Sequence, residues 1–184
     1  QMSLDMYRRL YGDNSDRADI ADALCISGCC FSYMGDHREA IINHTLSLNM
    51  YKRIHGEDSD HPDIAVVLNN LAFNYSNMKE YTTAEAHYRQ SLEMRKRIHG
   101  EDSDHPEIAV LLKNLGNNYC KMKEYTKAEE FCRLALEMRK RIHGEDSNHP
   151  DSARVLNTLG ANYYNMKEYT KAEEYYRQSL EMRK

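Results

Sequence analysis

Apolar residues recur along the chain at helical spacing, in pairs of segments separated by short polar turns. Over residues 108–122, Leu112, Leu115 and Tyr119 follow one another at intervals of three and four, which predicts one amphipathic helix. A Lys-Glu-Tyr turn follows, and residues 126–142 repeat the pattern with small and aromatic residues on the apolar side. The two segments together predict a helical hairpin.

The same pattern returns at a fixed interval. The string HGEDSDHP begins at His55 and again at His99, and HGEDSNHP begins at His143, so the period is 44 residues. The glycine in each string suits a helix end with left-handed backbone, and the proline suits the first turn of the next helix. A fixed period of this length is typical of a solenoid, in which each hairpin buries its apolar face against its neighbours.

Four hairpins fit the sequence in one repeat domain over residues 1–184. The predicted hairpins are residues 19–55, 63–99, 107–143 and 151–184, and residues 1–11 resemble the second helix of a preceding unit. Because the chain stops inside a recurring phrase, we expect a fragment of a longer array. The first copy is the least regular, with Ser27, Phe31 and His44 at positions where other copies carry Leu or Tyr.

These positions resemble the tetratricopeptide repeat. Its first helix carries a large residue, Leu, Gly or Ala, and Tyr, and its second carries Ala, an aromatic residue and a further small residue. In the second copy these positions hold Leu68, Leu71, Ala72, Tyr75, Ala84, Tyr88 and Ser91. The LNNLA and DHPDIA phrases are similar to the long-repeat subclass of kinesin light chains and nephrocystin-like proteins. The resemblance implies an all-α, right-handed solenoid of antiparallel hairpins that binds other proteins.

The composition argues against several classes of partner and location. The chain has 25 Lys and Arg against 29 Asp and Glu, a net charge of -4, which argues against nucleic acid as a partner. The mean hydropathy of -0.83 leaves no candidate for a membrane span, so we expect no membrane partner. Five cysteines without framework spacing favour a reducing cytoplasm over secretion.

No motif predicts catalysis or a cofactor. There is no GxSxG, phosphate-binding glycine loop or HExxH, so we expect no enzyme. The acidic joint between hairpins could suit a metal, but its repetition favours helix capping by its acidic residues, and we predict no metal site there. Cys25, Cys29 and Cys30 could begin a zinc or redox site, although no second ligand pair stands at suitable spacing.

The first helix of each hairpin has a second face, opposite its packing face. That face is rich in Asn, a mediocre helix former whose amide can pair with both polar groups of an extended peptide backbone. Basic residues stand among the amides in the third and fourth copies, which favours an acidic peptide or a C-terminal carboxylate. By resemblance this face lines the inside of the superhelix. The predicted binding residues are Asn69, Asn70, Phe73, Asn77, Lys113, Asn114, Asn117, Lys121, Arg154, Asn157 and Asn165.

The sequence therefore predicts a non-catalytic interaction scaffold that takes an extended, acidic segment of a partner protein. Two alternatives stay open. One is a sensor or self-assembly array belonging to a larger nucleotide-driven signalling switch. The other is a metal or redox module that uses the cysteines of the first copy.

Overall fold

The computed structural model describes residues 17–144 and 149–182. These residues form eight α-helices and no strand, which confirms the predicted all-α solenoid class. None of these helices is long and apolar enough to cross a membrane. The helices are α1 (Ala18–Tyr33), α2 (His37–His55), α3 (Pro62–Asn77), α4 (Tyr81–His99), α5 (Pro106–Lys121), α6 (Tyr125–His143), α7 (Pro150–Asn165) and α8 (Tyr169–Glu181).

The helix positions agree with the sequence pattern. The pair predicted over residues 108–122 and 126–142 corresponds to α5 and α6, with ends that differ by at most two residues. The partial helix predicted at residues 1–11 lies outside the described residues. The chain divides into two compact units, Gln1–Met94 and Arg95–Lys184.

Histidines cap the helices that begin at the joints between hairpins. In α5 the ring Nδ1 of His105, directly before the proline, accepts a hydrogen bond of 3.3 Å from the backbone N–H of Glu107. His61 and His149 make the same bond at the starts of α3 and α7. The prediction that acidic residues cap these helices is therefore wrong. The capping acceptor is an imidazole nitrogen, and the acidic residue follows in the first turn, where it suits the helix dipole.

Glycines end the helices that enter these joints. Gly56 has φ 102° and ψ 145°, and Gly144 has φ 93° and ψ 150°. The predicted positive φ is confirmed, but ψ is extended rather than left-handed helical. That combination is open almost only to glycine because a Cβ would clash with the backbone. In the first two joints the glycine also opens a turn, which is closed by a hydrogen bond from the backbone N–H of Ser59 to the carbonyl oxygen of Gly56 (3.2 Å) and by the equivalent bond from Ser103 to Gly100 (3.1 Å).

The tight turn inside each hairpin relies on a left-handed residue. Lys79, Lys123 and Lys167 have φ of 67°, 65° and 64°, and Gly35 holds the same place in the first hairpin with φ 83°. A left-handed conformation costs a non-glycine residue roughly 1–2 kcal/mol. The first hairpin avoids that cost, although its sequence is otherwise the least regular.

Small residues allow the two helices of a hairpin to approach closely. A Cβ on Gly116 would stand 2.4 Å from Sγ of Cys132, and a Cβ on Gly160 would stand 2.7 Å from Cε1 of Tyr176. Gly116 is itself buried. Such approaches put the second helix of the hairpin directly on the backbone of the first.

Serine hydroxyls tie the same two helices together. Ser47, Ser91 and Ser179 each donate to the carbonyl oxygen of an alanine 26 residues earlier, at 2.8, 2.7 and 2.7 Å. In the third hairpin Ala135 takes this position, so that bond is missing there. Three of the four hairpins therefore contain a buried bond between side chain and backbone that fixes the register of the two helices.

Candidate binding faces

All eleven predicted binding residues lie on the first helices of their hairpins, and none of them is buried. Asn69, Asn70, Phe73 and Asn77 are on α3, in the first unit. The other seven are in the second unit, on α5 and α7: Lys113, Asn114, Asn117, Lys121, Arg154, Asn157 and Asn165. The structure thus gives two faces, one on each unit, which we call the α3 face and the α5–α7 face.

The α5–α7 face has a basic region around Lys113 and Arg154. Lys113 is half-buried, and burial, followed by the positive charge of Arg154, lowers its pKa. The Arg154 side chain is 70% exposed and lies 3.4 Å from the carboxylate of Asp151. Asp151 also holds the buried guanidinium of Arg139 at 2.9 Å, so one carboxylate is shared between two cations. An anion that binds beside Lys113 would relieve the repulsion between Lys113 and Arg154.

Some of the predicted amides already have partners in the protein. Asn165 donates to Sγ of Cys120 at 3.4 Å, and Asn70 donates to Sγ of Cys25 and Cys29 at 3.8 and 3.6 Å. Sulfur is a weak acceptor, so a peptide carbonyl could replace it. These two amides are therefore weakly held within the protein.

An open pocket of about 400 Å³ adjoins the α3 face. We call it the first-hairpin pocket, and its lining residues are Cys29, Ser32, Tyr33, His44, Asn70, Phe73 and Asn74. Tyr33 is 94% exposed and Phe73 is 47% exposed, so the entrance offers two aromatic side chains. His44 is fully buried, and neither of its ring nitrogens has a hydrogen-bond partner. Burial lowers the pKa of His44 to about 4, which keeps the ring neutral near pH 7.

A second set of asparagines, to which the sequence analysis assigned no role, is buried and has a structural role. Asn74, Asn118 and Asn162 are at most 1% exposed. Asn74 Oδ1 lies 2.9 Å from Nδ1 of His37, and Asn162 donates to the backbone carbonyl of Tyr125 at 3.0 Å. An asparagine recurs at this position every 44 residues, and this regularity is visible in the sequence. It distinguishes these buried amides from the exposed ones beside them, whose positions vary between copies.

Each joint brings two histidines and a carboxylate together, which could hold a metal ion: His55, His61 and Asp63; His99, His105 and Glu107; His143, His149 and Asp151. The two rings of each joint stack with centroids 3.5 or 3.6 Å apart. In the second joint the buried Arg95 holds Glu107 at 2.8 Å, and Arg139 holds Asp151 in the third. A guanidinium thus already neutralises the carboxylate in these two joints. In the first joint, Tyr51 occupies the position that Arg95 and Arg139 hold in the other two.

The cysteines differ in their surroundings. Cys120 and Cys132 are buried, and burial raises the pKa of both thiols, that of Cys132 to about 12. Cys25 is half-buried, whereas Cys29 and Cys30 are exposed. The structure therefore places the accessible thiols of the described residues on α1.

Comparison with known protein families decides the classification. The family described as tetratricopeptide repeat matches residues 19–97, 63–106 and 107–184. The chain belongs to the tetratricopeptide repeat family. This fold is typically a non-catalytic scaffold for protein interactions, and the resemblance to the kinesin light chain type is confirmed. No curated protein matches the sequence significantly.

Solved structures share the tetratricopeptide fold. BtubC (BKLC) from P. vanneervenii is 24% identical, with a TM-score of 0.76 over 92% of this chain and 66% of BtubC. RapI is 22% identical, with a TM-score of 0.77 over 98% of this chain and 62% of RapI. Nearly identical TPR-like repeats of a Podosopora anserina protein assigned as a kinesin light chain are 14% identical, with a TM-score of 0.78 over 98% of this chain and 82% of that one. This chain therefore spans less than two thirds of BtubC and RapI.

Proposed function

We propose that this tetratricopeptide array binds an extended, acidic segment of a partner protein on its Asn-rich faces. The observation that supports the proposal most is the basic region of the α5–α7 face. There a half-buried lysine lies near an exposed arginine, and one aspartate is shared between that arginine and a buried one. A carboxylate of the partner would supply the missing negative charge and form charge-assisted hydrogen bonds.

The exposed amides would supply affinity that depends little on sequence. An asparagine side chain can donate to a backbone carbonyl and accept from a backbone N–H of an extended chain. Asn117 and Asn157 are exposed on the α5–α7 face. On the α3 face, the side chain of Asn70 donates to two weak sulfur acceptors of α1. The acidic side chains of the segment would set its position along the face.

A structural relative supports ligand binding by this fold. A Rap protein with a TM-score of 0.76 and 16% identity was solved in complex with competence and sporulation factor. At that identity the likeness concerns the fold alone, so the choice of an acidic segment rests on the charges of this chain.

The proposal can be tested with synthetic peptides and charge reversal. The probe is a fluorescein-labelled decapeptide of alternating Glu and Ala, and its counterpart carries Lys in place of Glu. We expect the acidic peptide to bind, and Lys121→Glu together with Arg154→Glu to weaken binding about tenfold, or about 1.4 kcal/mol. Both positions are exposed, so the thermal midpoint should change little.

The matched control reverses two lysines on the second helices. Lys127 and Lys171 are exposed and pair with Glu124 and Glu168, both at 2.6 Å. Lys127→Glu with Lys171→Glu alters the net charge equally and should leave peptide affinity within twofold of the unmodified chain. Equal losses in the two double variants, or equal binding of the Lys peptide, would contradict the proposal.

A further inference from the structure

Two thiols and an amide meet where α1 lies against α3. Cys25 and Cys29 are one turn apart on α1, and their thiols share a hydrogen bond. The Nδ2 group of Asn70 donates to both sulfurs, at 3.8 Å to Cys25 and 3.6 Å to Cys29. The sulfur of Cys29 therefore receives hydrogen bonds from a thiol and from an amide.

This arrangement favours the thiolate at Cys29. The hydrogen bond from Cys25 lowers the pKa of Cys29 to about 7, and the same bond raises the pKa of Cys25. Because the thiolate is the nucleophile in thiol chemistry, a lowered pKa increases reactivity at neutral pH. Cys29 is also exposed, so a reagent in solution can reach it.

A pocket beside Cys29 could hold the group that a reagent attaches to its sulfur. Cys29 lines the first-hairpin pocket, which has a volume of about 400 Å³. His44 lines the same pocket, is fully buried, and has no hydrogen-bond partner for either ring nitrogen. A buried imidazole without a partner calls for an explanation, and a polar group of a ligand in the pocket that bonds to the ring would supply one. Cys30 is also exposed on the same helix but is not part of the pocket lining.

We propose that Cys29 is a modification site for low-molecular-weight disulfides, with the adduct seated in the first-hairpin pocket. The Cys29 thiolate attacks one sulfur of the disulfide, an S–S bond forms to Cys29, and the other half leaves as a thiolate that takes a proton from water. An excess of small thiol reverses the exchange. The site does not depend on peptide binding, although its adduct would cover Asn70 and Phe73 on the α3 face.

The size of the rate advantage follows from thiol chemistry. At pH 7 a thiol with a pKa near 7 is about half ionised, whereas an ordinary thiol with a pKa near 8.5 is only about 3% ionised. The lower basicity reduces intrinsic nucleophilicity about fivefold, by the Brønsted relation. The net expectation is that Cys29 reacts about threefold faster than an ordinary exposed thiol at pH 7 and more slowly at pH 9.

The test uses the full reduced chain and oxidised glutathione, with adduct formation followed by intact-mass spectrometry between pH 6 and pH 9. We expect Cys29→Ser to remove the fast adduct, and the matched control Cys30→Ser to retain it with a rate midpoint near pH 7. Cys25→Ala keeps Cys29 but removes its donor, so the midpoint should move upward by about one pH unit or more. Far-UV circular dichroism checks that each variant is folded.

A second measurement locates the adduct. The ring Cε1–H resonance of His44 should shift when Cys29 is glutathionylated and stay unchanged when only Cys30 is modified, in Cys29→Ser. The proposal is overturned by a fast adduct that persists in Cys29→Ser, by a midpoint that Cys25→Ala leaves unchanged, or by an adduct at Cys29 that does not perturb His44.

Discussion

Replacing His44 by tyrosine is expected to make the protein less sensitive to acid. His44 is fully buried, and its Cε1 atom stands 2.6 Å from where a Cβ on Gly28 would be. Tyrosine fits such a position, since Tyr176 faces Gly160 in the same way in the fourth hairpin. The substitution keeps an aromatic ring on the glycine and removes a group that takes up a proton at mildly acidic pH.

The magnitude follows from the pKa of the buried ring. Burial lowers the pKa of His44 from 6.5 to about 4, so above pH 6.5 the ring is neutral in both the folded and the unfolded chain. Between pH 6.5 and pH 4 the unfolded chain binds the proton and the folded chain does not. The free energy of unfolding therefore falls with decreasing pH by about 1.4 kcal/mol per unit, about 2 kcal/mol by pH 5 and about 3 kcal/mol in full.

The assay is urea unfolding of both proteins at pH 7 and pH 5, followed by far-UV circular dichroism. Carboxylates and other histidines titrate in both proteins, so their contributions cancel in the difference between His44→Tyr and the unmodified chain. That difference should move in favour of the variant by about 2 kcal/mol between the two pH values. A difference that stays constant would refute the reasoning, as would a His44 ring that titrates above pH 6 in the folded protein by NMR.

Four further substitutions test the packing and the joints by the same unfolding assay. Gly116→Leu should destabilise by about 1–3 kcal/mol because its side chain would collide with Cys132, and an unchanged midpoint would contradict the close approach. Ser91→Ala should lower the free energy of unfolding by about 1 kcal/mol because it removes a buried hydrogen bond. Ala135→Ser should raise it by a similar amount in the third hairpin, and a change of the same sign in both variants would argue against the bond. Gly56→Ala should cost about 1–3 kcal/mol because its φ of 102° excludes a Cβ, and a neutral result would mean that the joint relaxes.

The helices and their hairpins were predictable because each is marked several times. Spacing, the joint glycine, the proline and the 44-residue period all give the same boundaries, and an error in one copy is corrected by the others. The angular positions of the predicted face residues also follow from the 100° step of a helix. Asn117 and Arg154, for example, are exposed as this geometry predicts, and their binding role stays a prediction.

Contacts between helices could not be predicted in the same way. The bond from Asn70 to the α1 thiols joins residues more than 40 positions apart and exists only once α1 packs on α3. The role of His105 as a cap depends on which ring nitrogen faces the backbone, and the sequence favoured its acidic neighbours instead. His44 looked like a poor match to the repeat, yet it fits because Gly28 leaves room for its ring.

The joints between hairpins have a consequence for how such a chain can change in length. The second and third joints each contain their own helix stop at Gly100 or Gly144, their own imidazole acceptor and their own arginine–carboxylate pair. Excision of one whole period between them would join the two halves at equivalent positions of the repeat. Gain or loss of a whole hairpin would then keep the pattern of joints intact.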